Sequence, residues 1–236
     1  MDELLLREAD EGDSFAISSV HLDARRSAAM PPPVHTDDAV RAWLDGRLQS
    51  TDTFWVAEVS GTVGGYARFT EGWLDDLYVA PAFARQGIGT ALLDLVKQLS
   101  PDGFCLWVFE MNTPARDFYS RRGLVELERT EGAANEERAP DIKMAWPGAD
   151  PVSFFRGLID DVDLQLGDLL ARRVALTRAV QAHKPDATRD PVREAQVAAA
   201  IAERAPELGA ERLGRIVDTI ITESLDAVGQ NAEITK

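Results

Sequence analysis

The sequence predicts two domains, an α+β domain followed by an all-α domain. Up to about residue 147, short β-rich runs alternate with stretches whose apolar residues recur at helical spacing. Beyond residue 151 the β-rich runs and most aromatic residues stop, and leucine and alanine dominate. The intervening Trp146-Pro147-Gly148-Ala149-Asp150-Pro151 favours a break in regular structure. We therefore expect a first domain over 1–147, a linker over 148–152 and a second domain over 153–236.

Length and composition restrict what the protein can be. A chain of 236 residues is long enough for two domains. Its apolar runs are shorter than the roughly 20 residues of a membrane span, and its acidic N-terminus does not resemble a signal peptide. Cys105 is the one cysteine, so we expect a buried thiol, no disulfide within the chain, and a cytoplasmic protein without a membrane partner.

The negative charge is uneven along the chain. Of the net charge of −15, residues 1–149 contribute −11, from 14 basic and 25 acidic side chains. A surface that follows phosphates needs clustered Lys and Arg, so nucleic acid is not an expected partner. An acidic first domain suits an amine-bearing substrate, although solubility alone would also explain the charge.

Seven strands and four helices are expected in the first domain. The β-rich runs predict strands over 4–7, 54–59, 63–69, 74–79, 104–109, 124–128 and 142–146. Apolar spacing and capping signals predict helices over 13–27, 36–48, 88–99 and 114–122. The polar segment Arg129–Asp141 is expected to be mobile. His21 and His35 are not spaced to share a metal ion, no metal is expected, and both are placed at the surface.

Three helices are expected in the second domain. Apolar spacing predicts a long helix over 154–184 and another over 211–228. Asp190-Pro191 is an N-cap followed by proline at the first helical position, and it begins a helix that ends near Pro206. Three helices of unequal length enclose a thin core, so we expect this domain to form a homodimer.

A glycine-rich turn precedes one helix of the first domain. Arg85-Gln86-Gly87-Ile88-Gly89-Thr90 lies between the strand that ends at Val79 and the helix that ends near Leu99. Unpaired N–H groups and the helix dipole at such a turn attract an anion, and glycine lets the anion approach the backbone. The turn matches neither the dinucleotide fingerprint nor the P-loop, so a purely structural turn is an equal alternative.

The first domain resembles the GNAT acetyltransferases over about residues 3–147. The resemblance rests on Leu77-Tyr78-Val79-Ala80-Pro81, on the Gly-Ile-Gly turn, and on Asn112, Ala115, Phe118, Tyr119 and Gly123 downstream. It implies a mixed twisted sheet with flanking helices, and acetyl-CoA as the substrate that donates the acetyl group. One departure is Ala84, where the family usually has Arg or Gln, and it is expected to weaken binding without abolishing it.

The same resemblance implies roles for individual residues. Backbone groups of Leu77, Tyr78 and Val79 would pair with pantetheine, and Asn112 would lie near the pantetheine arm. The pyrophosphate would be bound by the turn, through Arg85, Gln86, Gly87, Ile88, Gly89 and Thr90. Tyr119 would protonate the leaving thiolate.

The acid–base group and the acceptor site are less determined. Asp75 and Asp76 precede the cofactor strand, where the family often keeps an acidic base, and Asp76 is our candidate. In a regular strand at most one of two adjacent side chains can face the site. Each role has a structural alternative: core packing for Tyr119, an N-cap for Asn112, and a solvated strand end for the aspartates. The acceptor, an unidentified small amine, is expected between Met30–Asp38, the hairpin over 54–69 and Arg129–Asp141.

Cations recur along the second domain. Arg173 and Lys184 are eleven residues apart, about three helical turns, and therefore share a helix face. Arg156 lies seventeen residues before Arg173, about a quarter-turn off that face, as expected for a site shared across a dimer. Arg193 and Glu194 follow the Asp190 cap. The planar guanidinium of arginine binds carboxylates in a bidentate manner, so this set is typical of an anion site.

These residues resemble the all-helical AroQ-type chorismate mutases over about residues 152–229. The matching positions are Arg156, Arg173, Lys184, Asp190, Arg193, Glu194 and Ser224. By that resemblance two chains intertwine, and Arg156 enters the partner's site. Arg156, Arg173 and Arg193 would bind the carboxylates of chorismate, a dianion, with help from Ser224. Lys184 would face the ether oxygen, and Asp190 and Glu194 would hold the ring hydroxyl.

Val228 departs from that family. The usual Gln or Glu four residues after the serine is absent, and Gln230 lies two residues later, about 200° around the helix. Loss of such a donor costs about 10²–10³ in rate. The domain could therefore be a slow mutase, an isochorismate pyruvate-lyase, or a non-catalytic dimerisation module that senses chorismate or an aromatic compound and regulates the acetyltransferase. A further alternative, prompted by Ala84, makes the first domain a binding module. The main expectation is a bifunctional fusion within shikimate-derived aromatic metabolism.

Overall fold

A computed structural model describes residues 4–184 and 189–234, with side chains described up to residue 229. The chain divides into two compact units, Met1–Phe155 and Arg156–Lys236, and each is described by itself. The strands are β1 Leu4–Glu8, β2 Thr53–Val59, β3 Thr62–Thr70, β4 Trp73–Val79, β5 Phe104–Phe109, β6 Val125–Thr130 and β7 Asp141–Trp146. The helices are α1 Ser14–Ser27, α2 Asp37–Leu48, α3 Ile88–Leu99, α4 Thr113–Ser120, α5 Pro151–Gln181, α6 Pro191–Arg204 and α7 Ala210–Ile234.

The strands form one mixed sheet in the order β1-β2-β3-β4-β5-β7-β6. All neighbouring pairs are antiparallel except β4 and β5, which run parallel and pair at Trp73 and Cys105. This mixed sheet with flanking helices, followed by a helical region, confirms the predicted fold class. Because β4 and β5 meet only near their beginnings, the far half of β4 is open on the β5 side.

Helices cover both faces of the sheet. Successive side chains of a strand point to opposite faces, and both faces carry apolar side chains. On β2, Phe54 and Val56 pack with α1 and α2, whereas Trp55 and Ala57 belong to the cluster that contains α3. The α3 cluster includes Ile88, Leu92, Leu93 and Val96 from the helix and Phe104, Leu106 and Val108 from β5. The sheet is therefore the central layer of the first unit.

The segment between β6 and β7, which we expected to be mobile, makes several side-chain hydrogen bonds. Asn135 Nδ2 donates to the carbonyl of Ala139 at 2.8 Å and to Asp141 Oδ2 at 2.9 Å. Arg25 pairs with Glu137 at 2.9 Å, and His35 pairs with Glu136 at 2.6 Å. Side-chain hydrogen bonds therefore hold this segment against α1 and the residues that precede α2.

In the second unit, α6 and α7 pack together through a short turn at Pro206–Leu208. The buried residues of α7 form one stripe, Leu213, Val217, Ile221 and Ser224. Most apolar side chains of α5 are exposed, including Ile159, Val162, Leu166, Leu169, Leu176 and Val180. Three bounds differ from prediction. The helix α5 begins at Pro151, inside the expected linker, and ends at Gln181 and not near 184, and α7 continues to Ile234.

Candidate active sites

The glycine turn has the backbone that an anion site needs. Arg85 and Gly87 have positive φ, and α3 begins at Ile88 with no side-chain cap on its first N–H groups. Gly87, at φ +88°, is required by the turn itself. An added Cβ on Gly89 would meet Phe118 and Val79 at ordinary distances of 3.5 and 3.6 Å. Glycine at position 89 is therefore not required by the surrounding protein, and it leaves space beside the helix N-terminus.

A cation that the sequence analysis missed lies at this turn. The Arg122 guanidinium donates to Thr90 Oγ1 and lies 4.0 Å from the Phe118 ring centroid. It adds positive charge to the first turn of α3, where the dipole already favours an anion. Gln86, by contrast, donates its side-chain amide to the carbonyl of Ala82 at 3.1 Å.

A cavity of about 600 Å³ lies between β4 and β5, and we call it the strand cavity. Five predicted residues line it: Asp76, Leu77, Tyr78, Asn112 and Tyr119. Val79 is not among the lining residues, and it lies within contact range of Gly89 at the turn. The structure thus brings the predicted pantetheine and acid–base residues around one opening in the sheet.

Asn112 and Tyr119 occupy defined positions at that cavity. Asn112 is the N-cap of α4, accepting from the Ala115 N–H at 3.3 Å, and its Nδ2 lies 3.5 Å from Met30 Sδ. Tyr119 is 8% exposed and packs edge-on against Phe118. Burial, with smaller contributions from Tyr78 and Asp76, raises the pKa of Tyr119 well above its ordinary value. Its O–H is therefore kept at neutral pH as a hydrogen-bond donor.

A β-bulge places both aspartates beside one arginine, which corrects the expectation that only one could face the site. The β3–β4 register pairs Arg68 with Asp76 and Phe69 with Leu74, so Asp75 is the extra residue. Arg68 Nε donates to Asp76 Oδ2 at 2.6 Å, and its Nη1 lies 3.7 Å from Asp75 and 3.0 Å from Asp52. Burial is the main cause that raises the pKa of Asp75.

A second cavity of about 650 Å³ shares Asp76, Tyr78, Arg25 and Glu137 with the strand cavity, and we call it the helix cavity. Its walls come from α1, α2, the residues between them, and the loop before β7. The predicted acceptor region agrees with two of its walls, Pro31–Asp37 and Glu136–Glu137. The hairpin over 54–69 contributes none of the lining residues that the structure describes; α1 and α2 take its place.

His21 was wrongly assigned to the surface. It is 6% exposed, lines the helix cavity, and has Nδ1 2.8 Å from the Tyr66 hydroxyl oxygen. Burial lowers the pKa of His21, so its imidazole is neutral at pH 7. The pattern Ile17, Val20, His21 and Ala24 lies on one buried face of α1, and this spacing could have identified it. His35 is exposed, as predicted.

Two of the predicted mutase residues meet in the second unit. Arg173 Nη1 donates to the Ile220 carbonyl at 3.2 Å, and the buried Ser224 donates its hydroxyl to the same carbonyl at 2.6 Å. Arg173 also continues the exposed apolar stripe of α5, since positions 159, 162, 166, 169, 173, 176 and 180 alternate in steps of three and four. A residue on that stripe would face a second helix laid along α5.

Within one chain, Arg156 is not brought to Arg173. Arg156 is seventeen residues away on the same helix, about 26 Å along its axis. Lys184 lies past the end of α5, so the prediction that it shares a helix face with Arg173 was wrong. Arg193 is exposed on α6. Val228 is half-buried on α7, and the side chain of Gln230 lies outside the described residues.

Asp190 and Glu194 already have partners at the start of α6. Asp190 caps the helix by accepting from the Arg193 N–H at 3.0 Å. Arg189 donates to both carboxylate oxygens of Glu194 at 2.8 Å, which lowers the pKa of that carboxyl. Arg189 also contacts Asp218 at 2.6 Å and therefore ties α6 to α7. The sequence analysis did not single out Arg189, although it adjoins the Asp190 cap.

Residues 4–184 and 189–234 contain no group of three or more His, Cys, Asp or Glu side chains arranged to hold a metal ion. Among the helices in that part of the chain, none has both the length and the hydrophobicity to span a bilayer.

Two family models match the chain. The model of the acetyltransferase (GNAT) family matches residues 20–124, and that of chorismate mutase type II matches residues 155–227. Over 94 residues the chain is 35% identical to peptidyl-lysine N-acetyltransferase YiaC of Escherichia coli strain K12. That segment is 39% of this chain and spans 62% of the relative's length.

Solved structures agree on the fold. A GCN5-related N-acetyltransferase from Rhodopseudomonas palustris aligns with TM-score 0.53 and 20% identity, over 62% of this chain and 97% of its own. Salmonella typhimurium yncA, solved with its cofactor acetyl-CoA, aligns with TM-score 0.50 and 20% identity, over 63% and 95%. The two family-model matches agree with the predicted resemblances, a GNAT acetyltransferase domain over 20–124 and a chorismate mutase type II domain over 155–227.

Proposed function

We propose that this fusion of a GNAT acetyltransferase domain and a chorismate mutase type II domain catalyses two reactions. The first domain transfers an acetyl group from acetyl-CoA to a small amine, and the second converts chorismate to prephenate as a homodimer. The observation that carries the first activity is the pair of cavities on either side of Asp76 and Tyr78. The strand cavity would hold the acyl donor and the helix cavity the acceptor. We expect the protein to act in the cytoplasm.

Acetyl-CoA fits the strand cavity and the turn beside it. Its pyrophosphate would bind the first N–H groups of α3, next to Gly89 and the Arg122 guanidinium. Its pantetheine would lie along the open side of β4, at Leu77. A relative with the same fold, yncA, was solved with its cofactor acetyl-CoA, which supports this choice of donor.

The transfer step follows from the groups at the junction of the cavities. The lone pair of the amine attacks the thioester carbonyl carbon, a C–N bond forms, and the C–S bond breaks. Asp76 accepts the proton that the amine loses, directly or through water. Tyr119 donates a hydrogen bond and a proton to the leaving sulfur and regains the proton from solvent. The products are the N-acetyl amine and CoA.

The test compares two adjacent carboxylates. With an amine panel and acetyl-CoA, Asp76→Asn is expected to lower kcat by about 10²–10⁴, whereas Asp75→Asn, at a residue that lines only the strand cavity, should lower kcat less. Thiol release and mass spectrometry of the product would measure both variants, and thermal stabilisation by acetyl-CoA would show whether the donor still binds. Equal kcat for Asp76→Asn and the wild type would remove Asp76 from the mechanism.

The second activity is supported by the position of Arg173 on the apolar stripe of α5, beside Ser224. Conversion of chorismate to prephenate needs no nucleophile, because the enzyme only has to hold the compact dianion and stabilise charge on the ether oxygen. In a dimer that joins the stripes, Arg156 of one chain would reach the site of the other. Arg156 and Arg173 of one chain are about 26 Å apart along α5, so Arg156 would have to come from the partner chain.

Substrate conversion followed by NMR distinguishes the possibilities for this domain. Prephenate from chorismate, lost in Arg173→Gln and kept in the exposed control Arg172→Gln, would support the mutase. Pyruvate released from isochorismate would assign the lyase reaction. If neither compound is converted at high enzyme concentration, the mutase proposal fails and the domain is a sensor or a dimerisation module.

A further inference from the structure

The charges of the helix cavity identify a class of acceptor. We infer that the acceptor is a free primary monoamine with an uncharged, apolar body, and not an amino acid, a polyamine or a lysine on a protein surface. This inference rests on the proposed acetyl transfer and specifies its second substrate.

Every charged side chain that lines the helix cavity already has an oppositely charged or hydrogen-bonding partner. Arg25 pairs with Glu137, Arg26 with Asp37, His35 with Glu136, and Asp76 with Arg68. A second charge on the acceptor would find no unpaired counter-charge among these lining residues. It would lose hydration without compensation, or it would have to break a pair.

The remaining lining residues are mostly apolar or aromatic. Leu22, Pro31, Val40 and Trp43 form walls, together with Pro33, Val34, Ala39 and the rings of His21 and Tyr78. The His21 and Tyr78 ring centroids are 4.5 Å apart. A cavity of about 650 Å³ is within the range of small-molecule sites. An apolar body, aliphatic or aromatic, therefore has surface to bury against.

One end of the cavity suits the amine. Asp76 and Tyr78 are shared with the strand cavity, so a nitrogen placed there can reach the thioester. Burial lowers the pKa of the neighbouring His21, and its neutral imidazole does not repel an incoming ammonium. The acceptor is thereby oriented with its amine at Asp76 and its body against the apolar walls of the cavity.

Ion pairs between the walls of the helix cavity argue against a lysine presented by a protein. Arg25–Glu137 and His35–Glu136 each join residues more than 100 positions apart in sequence. They connect α1 and the following segment to the loop before β7, and all four residues line the cavity. A polypeptide that flanks a lysine would need more room between these walls than a free amine does.

Matched acceptors test the inference. We expect kcat/KM for 2-phenylethylamine to exceed that for L-phenylalanine, which adds a carboxylate, by at least about tenfold. The value for hexylamine should exceed that for 1,6-diaminohexane and that for an N-terminally blocked lysine peptide by a similar factor. A charged acceptor or the peptide as the best substrate would overturn the inference but leave the acetyltransferase intact. If acetyl-CoA binds but no acceptor is acetylated, the proposed function and the inference both fail.

A variant gives the same test from the protein side. Val34 lines the cavity but is half-exposed, so Val34→Asp should fold and add an unpaired carboxylate. We expect it to shift the preference towards 1,6-diaminohexane over hexylamine by about tenfold, without changing KM for acetyl-CoA. Gly46→Asp is the control, because an added Cβ at Gly46 has no described atom within 4 Å. An equal shift in both variants would contradict a local effect in this cavity.

Discussion

The two units differ in how they bury apolar surface. In the first, both faces of the sheet are covered within one chain, by α1 and α2 on one side and α3 on the other. In the second, α5 leaves its apolar stripe exposed, with Leu166 and Leu169 46% and 60% accessible. The first unit therefore has what it needs to fold and build its cavities alone. The second has an apolar face that an identical partner could cover, and its Arg156 lies about 26 Å from Arg173 along the same helix.

The largest expected effect comes from a charge on that stripe. Leu166→Asp should convert the proposed dimer to a monomer, because each chain would bury an unpaired carboxylate in the interface. Chorismate conversion should fall by about 10²-fold or more, since Arg156 would no longer reach the partner's site. Acetyl transfer should be unchanged. Light scattering after gel filtration measures the mass, and the exposed neighbour Gln165→Asp is the control. A monomer with full mutase activity would contradict the shared site.

In the first unit, the largest effect on stability is expected at Arg68. Its guanidinium, which is 8% exposed, lies among Asp52, Asp75 and Asp76. Arg68→Gln should lower the free energy of unfolding by about 3–5 kcal/mol, because it leaves buried carboxylates without a counter-charge. Arg47→Gln, which loses only the half-exposed partner of Asp52, should cost about 1 kcal/mol or less. Urea unfolding, followed by a signal from the first domain, measures the free energy of unfolding of both variants. Similar values for the two would show that the buried cluster around Arg68 contributes no more to stability than the half-exposed pair of Arg47 and Asp52.

An intermediate effect separates two roles of glycine at the turn. Gly87→Ala should lower the free energy of unfolding by about 1 kcal/mol or more, since its positive φ is unfavourable for alanine. Gly89→Ala should leave the free energy of unfolding unchanged, because its Cβ fits beside Phe118. It should nevertheless raise KM for acetyl-CoA about tenfold, because the added methyl group crowds the pyrophosphate. Thermal unfolding and steady-state kinetics on both variants provide the comparison. If Gly89→Ala binds acetyl-CoA normally, the turn is structural.

Periodicity and local caps allowed most of the fold to be predicted. Thr36 and Asp190 cap the helices at the expected positions, accepting from Ala39 and Arg193. These signals involve neighbours three or four residues apart, so spacing alone reveals them. Local sequence patterns also predicted the turn before α3 and the bounds of β4 and β5.

The site was less predictable because its contacts are not local. The bulge at Asp75 breaks strand alternation without any residue pattern that marks it. The Arg25–Glu137 pair joins residues 112 positions apart, and the partner of Asp76 is on another strand. In the second domain the site was hard to predict for another reason. Arg156 and Arg173, which were expected in one site, lie seventeen residues apart on the same helix. Only a second chain could join them, and one sequence does not show where it would lie.

The smallest expected effect concerns His21 and the pH dependence of stability. Burial lowers its pKa in the folded protein, a direction that Arg25 and Arg68 reinforce and Asp76 opposes. In the unfolded chain its pKa returns to about 6.5. As the pH falls through that value, the unfolded chain binds the proton more readily, so the free energy of unfolding falls, by at most about 1.4 kcal/mol for each pH unit. Above pH 7 both states are neutral at this site, and its contribution is constant.

His21→Gln should therefore reduce the loss of stability between pH 7 and pH 5, even if the variant is less stable at both. His35→Gln should leave the pH dependence as it is, because His35 is exposed and its pairing with Glu136 lies at the rim. Urea unfolding at pH 5, 6 and 7 measures the difference. An unchanged pH slope in His21→Gln would mean that the imidazole protonates equally in both states. The helix cavity would then admit more water than its apolar walls imply, and a charged acceptor could stay hydrated inside it.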